Sequence, residues 1–219
     1  MNAYKCLQKG GTGQIEEKKS RFIANIKPVN SETEATAFIA EIKKKYWDAR
    51  HNCSAFVIGE KSELTRCSDD GEPAGTAGRP MLEVLLSEEI TNVCVVVTRY
   101  FGGTLLGTGG LIRAYQGAVK AGLEDCKVVM VTKGTVYSVV TDYNLAGKLQ
   151  FYFNKESVIV KNTDWASDVA FTIVLTEDNE ATVLKQITEL TAALATVTKG
   201  EECEVMIDTE VRYADGRNT

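Results

Sequence analysis

The chain has 219 residues, 44% hydrophobic and 25% charged with three Pro, the composition of an ordered globular protein and not of a disordered or low-complexity one. Its net charge of −5 excludes a sequence-blind coat for nucleic acid, which needs a dense Lys and Arg footprint, and its longest apolar run, Val93-Cys94-Val95-Val96-Val97, is far below the roughly 18 residues of a membrane span. Six cysteines without a C-x-x-C pair and a single His leave no zinc site of the usual spacing. The cysteines read as small buried hydrophobes of a reducing cytosol, and no apolar leader follows Met1, so a cytoplasmic protein is expected.

Residues 20–29 read as a strand. Ser31 with Glu34 three residues later forms a capping box, and the helix it opens places Ala35, Phe38, Ile39 and Ile42 on one face before Lys43-Lys44-Lys45 ends it. Strands are expected at 51–59 and 64–67, followed by a turn-rich stretch over 68–80, with Pro80 in the first turn of a short helix reaching Leu86. Residues 91–98 are apolar and β-branched, as suits a strand covered on both faces. They run into a Gly-rich stretch ending at Gly110, then a helix with Leu111, Ala114, Tyr115, Ala118 and Gly122 on its apolar face and Arg113, Gln116 and Lys120 on its polar one.

Val128 starts a further strand or a connection into one. From Thr135 the order is strand 135–141, helix 144–153, strands 157–162 and 169–176, helix 180–194 and strand 203–207, which is βαββαβ, the ferredoxin-like order. The fold class is therefore α+β in two domains, 1–132 and 133–208, with a polar tail over 209–219 expected to be loose. Charge divides near the same point: residues 1–130 carry 17 Lys and Arg against 16 Asp and Glu, and residues 131–219 carry 8 against 14. Any nucleic-acid contact belongs to the first part.

Gly102, Gly103, Gly107, Gly109 and Gly110 fall between a buried strand and a helix, where backbone N–H groups can form an anion nest. Thr108 stands where a P-loop needs Lys, and Ile112 where the dinucleotide fingerprint needs its third Gly, so neither motif is met. The competing reading is a tight connection without a ligand, although Arg99 and Arg113 flank the stretch and both can fork onto phosphate. Asp69, Asp70 and Glu72 form an acidic turn without EF-hand register, for which helix entry is simpler than a metal. His51 and Cys53 share a strand face about 7 Å apart, too far for direct proton transfer, with nothing evident to orient the imidazole.

The stretches KSRFIA at 19–24, ARHNCSAF at 49–56, SDDGEPAGTAG at 68–78, VVTRYFGG at 96–103 and LGTGGLIRAY at 106–115 resemble the YigZ/IMPACT family, in order, over about residues 15–130. The remainder resembles the C-terminal domain of bacterial members through its element order. The resemblance implies a left-handed βαβ domain like domain IV of elongation factor G, followed by a ferredoxin-like domain like its domain V. It also implies a translation regulator, ribosome-associated or RNA-contacting, without the extra N-terminal domain through which eukaryotic IMPACT engages a kinase pathway.

On that reading the chain is a non-enzymatic module with no catalytic residue, cofactor or metal. Its expected partner is RNA or the ribosome, not a membrane or DNA. Arg50, Arg79, Arg99 and Arg113 would contact phosphate, and the five glycines would allow close approach. Tyr100 and Phe101 would stack on bases, core packing being their alternative. A protein partner docking on the acidic turn and the acidic second domain is the alternative function. A peptidase-like hydrolase is a second alternative, short of His ligands.

Overall fold

A computed structural model describes residues 3–208, so the expected tail at 209–219 lies outside the described residues. The chain divides into two units, Tyr4–Met130 and Val131–Ile207. The first contains strands β1 (Tyr4–Lys9), β2 (Gly11–Glu17), β3 (Ser20–Pro28), β4 (His51–Ile58), β5 (Leu64–Ser68) and β6 (Val93–Tyr100), with helices α1 (Glu32–Lys45), α2 (Gly78–Ser87) and α3 (Gly107–Leu123). Its sheet has the order β2-β3-β6-β4-β5, every pair antiparallel. β3 and β4 both oppose β6 and so run parallel to each other, joined by α1 as the crossover.

Side chains alternate across a strand, and here both faces are covered. Val93, Val95 and Val97 of β6 and Cys53, Ala55 and Val57 of β4 pack with α2 and α3. Cys94 and Val96, with Phe56 and Ile58, pack against Ala35, Phe38 and Ile42 of α1. Val93 through Val97 have 0% exposure, as the reading of a doubly covered strand requires. Each buried valine contributes on the order of 1.5–3 kcal/mol. α1 starts as read: the Ser31 side chain accepts from Glu34 N at 3.2 Å, while the Glu34 carboxylate reaches one residue further back than a capping box does, to Asn30 N at 2.8 Å.

Several elements differ from the sequence reading. β1 and β2 were not expected in the Gly-rich opening. A Cβ on Gly13 would fall 2.3 Å from Gly122 N, so this glycine lets α3 lie against β2 and removes the residue pattern by which a strand is recognised. α2, by contrast, holds Pro80 in its first turn as read, starting at Gly78 and ending one residue past Leu86. α3 begins at Gly107, which moves Gly107, Gly109 and Gly110 out of the loop and into the first turn of the helix.

In the second unit β7 (Lys127–Thr141), which starts in the first, is followed by α4 (Tyr143–Lys155), β8 (Ile159–Trp165), β9 (Val169–Thr176), α5 (Glu180–Leu190) and β10 (Thr196–Asp208), in the order βαββαβ. α5 stops before residue 194 because Ala192 and Ala193 turn to φ 49° and 61°. Among this unit's strands β10 pairs with β7, β7 with β9 and β9 with β8, and β9 is antiparallel to both neighbours. Asp142 caps α4 by accepting from Asn144 N and Leu145 N at 2.8 and 2.9 Å. The core lies on one face of the sheet, where Phe153 and Phe171 meet edge to face at 5.4 Å.

Candidate functional site

The three carboxylates of the acidic turn point to three different partners. Asp69 accepts backbone N–H groups from Gly75, Ala77 and Gly78 at 2.8, 3.0 and 2.8 Å, serving the start of α2, whose cap position is an Ala. Burial pushes its carboxyl up, but the three donors outweigh burial and hold it below the usual carboxylate range. Asp70 meets Lys43 Nζ at 2.6 Å and accepts from Asn52 N at 2.7 Å. Burial again pushes up, and Lys43, the Asn52 amide and His51 bring its carboxyl below the ordinary value. Glu72 is buried, and its Oε1 accepts from Arg99 Nη1 at 2.6 Å and from the Tyr115 hydroxyl at 2.8 Å.

Arg99 lies on the central strand, opposite Phe22 of β3 and His51 of β4. Its guanidinium sits between the rings of Phe22 and Phe101, at 5.5 and 5.6 Å. Behind it, the Tyr115 hydroxyl is 3.3 Å from Cys53 Sγ, which lies 3.0 Å from the Asp69 carbonyl oxygen. Burial pushes the Cys53 thiol up to about 12 and raises Tyr115 as well, so Cys53 stays protonated at neutral pH and is no nucleophile. His51 is oriented after all: its Nδ1 is 2.8 Å from the Asp70 carbonyl oxygen. A carbonyl only accepts, so Nδ1 carries the hydrogen and Nε2 of the neutral ring is an acceptor.

Of these groups, His51, Glu72, Arg99 and Phe101 border a cavity of about 480 Å³. Arg50, His51, Glu72 and Arg99 form its polar side, and Pro73, Phe101, Leu105, Leu106 and Leu111 its apolar side, with Gly107 and Thr108 opening α3 between them. Leu106 occupies the cap position of α3 without a side-chain cap, and the first turn holds no acid. Among the described residues, Arg99 Nε has no hydrogen-bond partner.

Of the expected contact residues, Arg50, Arg99, Phe101 and Gly107 meet at this cavity. Arg79 is paired to Glu83 on α2 at 3.0 Å. Tyr100 donates to Asp48 at 2.8 Å beneath Arg21, and Gly102 N donates to Ser20 Oγ at 3.1 Å. Gly103 has φ 86° in the remaining loop. Gly109 and Gly110 are helical, and Arg113 is exposed one turn on, its Nη1 3.9 Å from where a Cβ on Gly109 would stand. Phe101 is 48% exposed and Tyr100 half-buried, so neither forms a core beneath the loop. Sequence reasoning missed Tyr115 and Thr108 as members of the site. Tyr115 carried no signal beyond its place on an apolar helix face.

No group of three His, Cys, Asp or Glu among the described residues is placed to hold a metal ion, and no described helix is long and apolar enough to cross a membrane.

A family model described as the Impact N-terminal domain matches residues 18–123, and one described as a domain of unknown function (DUF1949) matches residues 139–193. "IMPACT family member YvyE" of Bacillus subtilis (strain 168) is 40% identical over 201 residues, 92% of this chain and 93% of that protein. The chain belongs to the IMPACT family. "IMPACT family member YigZ" of Escherichia coli (strain K12) is 35% identical over 189 residues, 85% of this chain and 89% of its own. A solved structure described as a hypothetical protein superposes with TM-score 0.58 at 32% identity, covering 92% of this chain and 98% of that one. With mouse "Protein IMPACT" the likeness is 36% over 98 residues, 42% of this chain but 30% of the mouse protein. The cavity and its acidic turn thus lie within the Impact N-terminal domain.

Proposed function

We propose that this IMPACT-family chain is a cytosolic, non-catalytic binding protein of the translation machinery, whose first unit contacts RNA or a ribonucleoprotein. The observation that best supports the reading is the meeting of exposed Arg50, half-exposed Phe101 and the uncapped start of α3 around one cavity. Phosphate contacts position a nucleic acid, and an exposed ring gives a base a face to stack on. The likeness expected to domains IV and V of elongation factor G fits the same role. Kinase docking is not carried over, since the chain covers 30% of the mouse relative's length.

Arg99 changes the expected arithmetic. Paired with Glu72, it neutralises that carboxylate before any phosphate. Of the four arginines expected at phosphate, Arg50, Arg79 and Arg113 are exposed, Arg79 already beside Glu83. With two or three phosphates engaged, the slope of log affinity for single-stranded RNA against log salt is expected at about −1.4 to −2.1. Arg50→Ala flattens it by about 0.7, and Lys185→Ala in the second unit leaves it unchanged. No affinity for RNA at low salt would sink the reading. A partner that survives nuclease would favour the protein-binding alternative, docking on the acidic second unit because the carboxylates of the acidic turn are already engaged by backbone N–H groups, Lys43 and Arg99.

A further inference from the structure

We infer that the cavity at the start of α3 is a binding site for a single nucleotide, its phosphate on the helix N-terminus and Arg50, its base against Phe101 and Leu105. The inference deepens the function proposed above: an RNA source for the nucleotide rests on that reading, whereas the chemistry rests on the cavity alone.

Two independent observations point to an anion. α3 has 17 residues, and its positive end opens on the cavity with Leu106 in the cap position and no acid in the first turn, so its leading N–H groups have no side-chain acceptor. Beside it, the Arg99 side chain is 7% exposed and lines the same cavity, yet its Nε has no partner among the described residues while Nη1 is held by Glu72. A guanidinium has five N–H donors, and this one lines the cavity with its donors only partly satisfied, the Nε itself lying beneath the surface.

The charge balance agrees. Arg50 and Arg99 face Glu72 as the single carboxylate of the cavity wall. The neighbouring carboxylates are already engaged, Asp70 by Lys43 and Asp69 by three backbone N–H groups. An entering anion therefore meets a net positive wall.

Size and polarity narrow the class. A cavity of about 480 Å³ is far larger than a phosphate ion and within the range of small-molecule pockets. The rest of its wall is apolar and open: Phe101 is 48% and Leu105 83% exposed, an unusual exposure for large apolar groups beside an anion site. A flat base attached to the phosphate covers both. His51, with Nδ1 committed to the Asp70 carbonyl, leaves Nε2 to hydrogen-bond a polar group of the ligand.

The test is a titration of the full chain, followed by backbone amide NMR, with uridine 5′-monophosphate, adenosine 5′-monophosphate, uridine, inorganic phosphate and a short single-stranded RNA. Both monophosphates are expected to shift the amides of Gly107, Thr108 and Gly109 saturably, with uridine at least about tenfold weaker and phosphate alone leaving Phe101 unmoved. Thr108→Glu, at an exposed position, sets a carboxylate in the first turn and should weaken the monophosphates about tenfold or more. Arg50→Ala, also exposed, is the second variant and should weaken them too. Circular dichroism checks that both fold.

Silence of these amides at about 10 mM monophosphate overturns the assignment. Uridine binding as tightly as its phosphate, or an indifferent Thr108→Glu, does the same. RNA that binds without moving these amides leaves the function proposed above standing and removes the cavity from it. Monophosphates that bind where RNA does not would keep the cavity as a site for a free nucleotide and remove the RNA reading.

Discussion

Replacing Glu72 by Gln would leave the Arg99 guanidinium buried between Phe22 and Phe101 without its counter-charge. A broken buried pair costs about 3–5 kcal/mol, so urea unfolding of Glu72→Gln should show a loss of that order, and Glu72→Leu with Arg99→Met together should lose less than Glu72→Gln alone. Asp69 and Asp70 set the acid limit. Both carboxyls are held below their ordinary value, near 4 in the unfolded chain, so their contribution is complete above that pH and is lost as pH falls through the folded values. Urea midpoints should therefore drop below about pH 4, and Asp69→Asn should lower stability by about 1–3 kcal/mol at neutral pH and shallow that drop. The acidic turn was legible as a turn with a helix-entry role, because Asp69 acts within nine residues of itself. The Glu72 pair was not, because Arg99 and Tyr115 lie 27 and 43 residues further along the chain.

Two glycines of α3 should respond in opposite directions. Gly107 has φ 69°, where a Cβ costs about 1–2 kcal/mol, so Gly107→Ala destabilises. Gly109 is helical, and an added Cβ would meet only the flexible end of Arg113 at 3.9 Å, so Gly109→Ala should stabilise by up to about 1 kcal/mol. Chemical denaturation of the two variants reads both signs. α1 was legible because its cap and apolar spacing are local, and β6 because its apolar run is continuous. The opening of α3 was not: five glycines carry no periodicity, and only backbone geometry separates Gly103 in the loop from Gly109 in the helix. β2 was hidden for a related reason, since Gly13 is there for what lies against it.

The second unit has a core built from residues 137–187 alone. Residues 131–219 expressed by themselves are therefore expected to unfold cooperatively in urea, with coincident transitions by circular dichroism and fluorescence. An aggregated or non-cooperative product would count against the division. The order βαββαβ was legible from alternating periodicities. The cavity was not, since its walls come from the start of β4, the acidic turn, the end of β6 and the start of α3, and motif spacing compares only neighbours along the chain.

Cys53 lies behind Tyr115 with no solvent exposure, whereas Cys67 on β5 is exposed. A thiol-specific reagent should modify Cys67 first and reach Cys53 only during those intervals when the sheet and α3 part. Peptide mass mapping separates the two sites, so the chain carries its own stopwatch: the Cys53 labelling rate measures how often this unit opens. Any ligand that binds only the closed form slows that clock in proportion to its occupancy, whatever its identity.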